Sequence, residues 1–158
     1  MYLRTGDLGF FHEGELFITG RLKDLIIVNG RNLHPQDVEQ SAQQERPALI
    51  AGRGAAFAVD RDGQETLVLV QELRRHAPTS SNTDLSSLIT EIRAAILNDH
   101  EVHAGAILLV APGMVPMTSS GKLARHAARE ALLAGKLAPL AAWYGPGWSD
   151  SAQPAPGP

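Results

Sequence analysis

The sequence predicts an α+β fold: a small mixed sheet flanked by helices and preceded by a β-hairpin. Three observations carry that expectation. Up to about residue 71 the apolar residues fall in short alternating or continuous runs punctuated by glycine, the pattern of strands. From residue 84 they recur at helical spacing, the pattern of an amphipathic helix. Strands and helices are mixed without strict βαβ alternation, which points to α+β.

The elements follow in chain order. Residues 8–20 read as a hairpin, with His12-Glu13-Gly14 as its turn. Glu15-Leu16-Phe17-Ile18-Thr19 is its half-buried strand, Leu16 and Ile18 on one face and Phe17 on the other. Asp24-Leu25-Ile26-Ile27-Val28 is a short continuous apolar strand, and the Asn29-Gly30 pair after it is a tight turn, because both residues tolerate φ > 0. Pro35 suits the first position of a helix, and Asp37 and Glu39 in its first turn favour the helix dipole. That helix is expected to run to about residue 45 and stop before Pro47. Gly52-Arg53-Gly54 reads as a flexible turn. Strands at 55–59 and 66–71 are joined through Asp60-Arg61-Asp62-Gly63, and the run Leu67-Val68-Leu69-Val70 suggests cover on both faces.

Residues 76–83 are a polar linker. Leu85, Leu88, Ile89, Ile92 and Ile96 then form one stripe of a helix reaching about Asp99. A strand at 106–111, a loop at 112–121 and a helix from near Lys122 to around Gly135 complete the pattern. From Gly145 the chain is rich in Pro, Gly, Ser and Ala, the composition of a disordered tail.

A length of 158 residues suffices for one domain with a real core. With 14 Lys and Arg against 17 Asp and Glu, the net charge of −3 argues against a general affinity for nucleic acid, which needs a clustered basic surface. The absence of cysteine removes disulfides, thiolate metal sites and a cysteine nucleophile, and fits a reducing compartment. No apolar run approaches the about 20 residues of a membrane-spanning helix. Met1-Tyr2-Leu3-Arg4 lacks the basic region and apolar core of a signal peptide. A soluble, cytoplasmic protein is expected.

Several catalytic motifs are missing. There is no Gly-x-Ser-x-Gly elbow, and His100-Glu101-Val102-His103 has the wrong spacing for a zinc helix, so these histidines read as surface or helix-end residues and no metal site is expected. Thr118-Ser119-Ser120-Gly121-Lys122 fails as a phosphate loop, because Pro116 replaces the upstream glycine and Leu123 follows the lysine. A solvated loop is the plainer reading of these residues alone; still, a compact ammonium on a hydroxyl- and glycine-rich loop is suited to reach a phosphate. Arg4-Thr5-Gly6-Asp7 and Gly20-Arg21-Leu22-Lys23-Asp24 set charges beside glycines. They could hold a ribose or simply make local salt bridges.

In this order, Tyr2-Leu3-Arg4-Thr5-Gly6-Asp7, Gly20-Arg21-Leu22-Lys23-Asp24, Gly30 and Thr118-Ser119-Ser120-Gly121-Lys122 resemble consecutive motifs of the adenylate-forming superfamily. Its members include acyl-CoA synthetases, nonribosomal-peptide adenylation domains and luciferase. The resemblance runs from residue 1 to about residue 143. Within the superfamily the chain looks most like the C-terminal part of a fatty acyl-AMP ligase. Leu25 to Glu39 and Gly54 to Val59 carry that likeness, and Asp99 to Ala106 stand where acyl-CoA synthetases usually have a Lys-x-Pro segment.

The resemblance implies that residues 1–20 are the last hairpin of a large N-terminal adenylation domain, 21–143 a mobile C-terminal domain and 144–158 a disordered tail. It implies two half-reactions in a longer parent. A fatty acid attacks ATP, with magnesium, to give acyl-adenylate. The phosphopantetheine thiol of a holo acyl carrier protein then displaces AMP, in polyketide, nonribosomal peptide or lipid synthesis. Lys122 matches the lysine bridging carboxylate and α-phosphate. Asp7 matches the carboxylate on the ribose hydroxyls, Arg21 the arginine on the same ribose, Lys23 the hinge and Gly30 the glycine facing the pantetheine channel. The acyl pocket, phosphate loop and magnesium ligand of the large domain are absent from the sequence, so this chain alone is expected to be inactive. The C-terminal domain of an acyl-CoA synthetase or amino-acid adenylation domain is the alternative within enzymes. A non-enzymatic carrier-docking module is the alternative outside them, but it would not need Asp7, Arg21 and Lys122 together.

Overall fold

The computed structural model describes residues 5–76 and 82–148. Strands β1 (Asp7–His12) and β2 (Glu15–Arg21) form an antiparallel hairpin whose turn places Glu13 and Gly14 at φ 50° and 82°. A 3-10 turn over Leu22–Asp24 leads into a second small hairpin, β3 (Ile26–Val28) and β4 (Arg31–Leu33). Asn29 and Gly30 join its strands at φ 51° and 75°, the two positive values that match the twist of a two-residue hairpin. Helix α1 (Pro35–Gln43) starts on its proline. Then come β5 (Leu49–Arg61), β6 (Gln64–Leu73), helix α2 (Asn82–His100), β7 (Ala104–Val110), helix α3 (Arg125–Leu133) and β8 (Pro139–Tyr144).

The four long strands make one mixed sheet in the order β5-β6-β7-β8. Only β6 and β7 run parallel, and α2 supplies the crossover that such a pair requires. The sheet is covered on both faces. Leu67 and Leu69 join a core with α1, α2 and the β3–β4 hairpin, whereas Val68 and Val70 join a second core with Ala128 and Leu132 of α3. The neighbouring β7 does the same: Ile107 and Leu109 face the first core, Ala106 and Leu108 the second. This is why residues 67–70 and 106–110 run apolar without interruption. The predicted stripe of α2 is the face that packs there, since Leu85, Leu88, Ile89, Ile92 and Ile96 all belong to the first core.

Several expectations are corrected. Strand β2 is not half-buried: Leu16, Phe17 and Ile18 are 55%, 43% and 59% exposed, and Phe17 stacks on Phe10 across the hairpin at 5.4 Å. Gly52-Arg53-Gly54 is not a turn but an irregularity inside β5, where the register with β6 shifts between Leu49 and Gly54. A side chain at Gly54 would overlap Gln71 Oε1, so close packing explains that glycine. Helix α3 begins at Arg125, which leaves Lys122 in the preceding loop. Strands β4 and β8 escape the sequence patterns, as short or edge strands do. Tyr144 lies in β8 and Trp148 packs on it at 5.4 Å, with Arg61 over the indole at 4.3 Å, so ordered structure extends past the expected boundary at 144. The rest of the expected tail, and most of the linker at 76–83, lie outside the described residues. No helix among the described residues is long and apolar enough to cross a membrane.

Core and hairpin should respond differently to truncation. Ile92→Ala, at a fully buried site, is expected to cost about 2–5 kcal/mol. Leu16→Ala, on the exposed hairpin, should cost less than about 0.5 kcal/mol. Urea unfolding followed by circular dichroism checks both, and equal shifts of the midpoint would contradict the layering.

Candidate functional site

Lys122 sits on a turn with its own hydrogen-bond frame. The Thr118 N–H donates to Lys122 O (2.7 Å), and the Gly121 N–H to Thr118 O (3.0 Å). The Lys122 N–H donates to Thr118 Oγ1 (3.1 Å), and the Thr118 and Ser120 hydroxyls share a hydrogen bond of 3.0 Å. Below them Met117 bridges Leu123, and the Ala124 N–H donates to Pro116 O (3.0 Å). Gly121 is required at φ 80°, where a Cβ would strain the backbone. The solvated loop is thus a closed hairpin turn, with its lysine exposed at the tip. Among the described residues, the Lys122 ammonium has no ion-pair partner.

Two buried glutamates hold the roots of this loop. Glu72 of β6, 1% exposed, accepts Arg53 Nε and Nη2 at 3.0 Å each and the Val115 N–H at 2.9 Å. Glu39 of α1, 5% exposed, accepts Arg125 Nε (2.6 Å) and Nη2 (2.8 Å), and the Ala56 N–H at 2.9 Å. The hydrogen bonds that Arg125 donates to Glu39 raise the Arg125 pKa against the lowering effect of burial, and the charges of Glu39 and Asp24 add to the rise. Burial pushes the Glu72 carboxyl up, but the Arg53 guanidinium and the Val115 and Gly113 amides outweigh it and hold the group below its ordinary value. Sequence reasoning missed these roles. Glu39 reads as a dipole-favouring helix residue, whereas it is buried between α1, β5 and α3. For Glu72 the one available sign is an acid at the end of an apolar strand.

The loop opens onto a cavity of about 670 Å³ that Lys122 lines together with Arg21, Asp24, His34, Gln36 and Arg125. Arg21 and Lys122, far apart in the chain, therefore share one space. Asp7 pairs with Arg21 across the β1–β2 hairpin at 3.8 Å, with both side chains well exposed. Lys23 lies elsewhere: with Ile26, Phe57, His126 and Arg129 it lines a second cavity of about 690 Å³. Asp24 and Arg125 border both spaces. Gly30 belongs to neither. It occupies the β3–β4 turn with nothing within 4 Å of where a Cβ would stand, so its φ of 75° accounts for the glycine. His100, read as a helix-end residue, is the last residue of α2 and shares a hydrogen bond of 2.9 Å with Ser41. Among the described residues no three His, Asp or Glu are grouped to hold a metal.

Residues 23–141 match the family described as Disco-interacting protein 2-like, AMP domain. The chain is similar to the medium-chain-fatty-acid–[acyl-carrier-protein] ligase JamA of Moorena producens, 43% identical over 136 residues, which cover 86% of this chain and 23% of that protein. A structure from a study of fatty acyl-adenylate ligases of E. coli and L. pneumophila shares 41% identity at a TM-score of 0.68, covering 81% of this chain and 21% of that one. McyG A-PCP complexed with phenylalanyl-adenylate gives the same TM-score, 0.68, at 28% identity, over 80% of this chain and 20% of that one. The chain thus spans about a quarter of the length of the curated relatives it matches.

The Glu72 anchor carries a pH signature. A carboxyl held lower in the folded than in the unfolded chain stabilises the fold above its unfolded pKa of about 4.3. That contribution disappears as pH falls through the folded value. Glu72→Gln is therefore expected to lower stability at neutral pH and to flatten the loss between about pH 5 and about pH 3. Urea unfolding of both proteins across that range checks this; parallel pH profiles would contradict it.

Proposed function

Because the chain belongs to the Disco-interacting protein 2-like AMP-domain family, we propose that it is the mobile C-terminal domain of a larger fatty acyl-AMP ligase. In this reading the parent activates a fatty acid with ATP and passes the acyl group to a holo acyl carrier protein in the cytoplasm. The observation that carries it is the meeting, in one cavity, of Arg21 and a Lys122 that has no ion-pair partner among the described residues. The higher identity to fatty acyl ligases, 41–43%, than to the structure complexed with phenylalanyl-adenylate, 28%, supports a fatty acid over an amino acid.

In the first half-reaction a carboxylate oxygen attacks the α-phosphorus of ATP and pyrophosphate leaves. The Lys122 ammonium lies between carboxylate and α-phosphate and offsets the charge that develops on the transferring group. Asp7 accepts hydrogen bonds from the ribose hydroxyls and Arg21 donates to the same ribose. Their mutual ion pair does not obstruct this, since an exposed pair is typically worth under about 1 kcal/mol and yields to a better partner. Magnesium would be held by the nucleotide and by ligands in the large domain. The exposed Phe10, Phe11, Leu16 and Ile18 support assigning the first hairpin to that domain, because apolar surface of this kind calls for a cover.

In the second half-reaction the carrier's thiol attacks the acyl carbonyl and AMP leaves. Lys23 is the pivot between the two states. It lies in a short 3-10 turn tied by the Leu22 N–H to Gly6 O (2.7 Å) and the Leu25 N–H to Leu22 O (3.3 Å), a light tether suited to rotation. The place of Gly30 beside the pantetheine channel rests on the family resemblance.

Lys122→Ala in the parent is expected to slow acyl-adenylate formation about 10²–10³-fold, while transfer from supplied acyl-AMP to the carrier stays nearly intact. The isolated chain should release no pyrophosphate from ATP, magnesium and fatty acids above a Lys122→Ala control. Near-normal adenylation by the variant would refute the assignment. Lys23→Pro, which locks φ near −65°, should affect the two half-reactions unequally. A parallel fall, or no change in either, would remove Lys23 as the pivot.

A further inference from the structure

We propose that Arg125 is the positioning residue for Lys122: its guanidinium, gripped by Glu39, determines where the turn over 116–124 points and so where the ammonium is delivered. This rests on the reading that Lys122 acts at the reacting carboxylate and α-phosphate. The turn is closed by its own hydrogen bonds between Thr118 and Lys122 and between Pro116 and Ala124, so it moves as one body. Residues 118–122 are exposed, which leaves the orientation of that body to its two roots. One root is the Val115 N–H on Glu72. The other lies three residues beyond Lys122, where Arg125 opens α3 and bonds Glu39 through both Nε and Nη2.

The second root decides the direction. Ala124, the residue before α3, makes no side-chain cap, and Leu123 packs on the second core through non-directional apolar contact, so the arginine fork is what sets an angle at the helix start. Two parallel N–H···O bonds to one carboxylate set an angle as well as a distance, which a single point charge does not. Glu39 is itself immobilised by the Ala56 N–H in β5, so the fork refers the turn to the sheet. Arg125 also borders the Lys122 cavity, where a change in its placement is felt directly. The helix does not depend on this pair for docking. Ala128 and Leu132 are buried against the sheet, and Arg129 Nε donates to Ala58 O at 3.1 Å. Loosening Arg125 should therefore swing the turn without undocking α3.

The test uses the full-length parent with Arg125→Lys and Arg125→Met, beside Lys122→Ala. Adenylate formation and acyl transfer from supplied acyl-AMP are measured separately, and thermal unfolding reports the folded fraction. Displacing a reacting group by about 1 Å costs on the order of 100-fold in rate. Both Arg125 variants are expected to lose roughly 10–100-fold in the kcat of adenylation, to transfer normally and to unfold cooperatively. Arg125→Lys should fail to rescue, because it keeps the charge and loses the fork. Normal adenylation by the folded variants would overturn the proposal. An equal fall in both half-reactions, or failure of Arg125→Lys to fold, would also overturn it by making the pair a determinant of the fold alone. If Lys122→Ala itself adenylates normally, the underlying functional reading fails instead, and the two failures are told apart.

Discussion

The carboxylate of Glu39 is the constraint on which the rest of the arrangement turns. It is 5% exposed and receives three N–H donors, two from Arg125 and one from Ala56. A buried charge is tolerated only when it is paired and its oxygens are satisfied, and removing one partner of such a pair typically costs about 3–5 kcal/mol. Those donors come from β5 and α3, while the acceptor comes from α1. Helices on opposite faces of the sheet are thereby referred to the same strand. Glu72 repeats the device, tying β6 to Arg53 of β5 and to Val115 of the long loop.

The sheet makes this possible. Its two central strands present Leu67, Leu69, Ile107 and Leu109 to one core and Val68, Val70, Ala106 and Leu108 to the other. Burial on both faces removes water from both, which supplies the driving force for α1 and α2 on one side and α3 on the other. The β1–β2 hairpin receives no such cover. It is joined to the body through the 3-10 turn, the Leu22 N–H on Gly6 O and Gln36 Nε2 on Thr19 O (2.9 Å). Stability and chemistry are thus divided. The layered body holds the fold, and Arg21 and Lys122 stand exposed at its edge.

That division suits the role proposed for Lys122, in only one of two half-reactions. An ammonium committed to a local ion pair would be unavailable to a substrate, and Lys122 has no such partner among the described residues. An ammonium on a disordered loop would cost entropy at every encounter. The closed turn avoids both conditions: the backbone is ordered, and the side chain is free to reach outward. The cavity shared with Arg21 brings two cationic side chains from distant parts of the chain to one space.

Features governed by neighbouring residues were legible in the sequence by itself. The stripe of α2, the doubly apolar β6, the start of α1 at Pro35 and the turns at Asn29-Gly30 and Asp62-Gly63 follow from backbone preference and side-chain period. Motif order was legible too, and it marks Arg21 and Lys122, which the fold brings to one cavity. Other features were not. Alternation in β2 separates two faces but carries no information on whether either is covered, and both proved exposed. Glycines at 52 and 54 resemble a turn until β6 pairs across them. The bonds that aim the lysine loop join residues 86 positions apart for Glu39 and Arg125, and 43 apart for Glu72 and Val115. No local pattern marks such partners, because a glutamate on a helix looks the same whether solvent or an arginine meets it. Only the packing of α1, the sheet and α3 decides which, by excluding water from the carboxylate and leaving a distant guanidinium as its counterion.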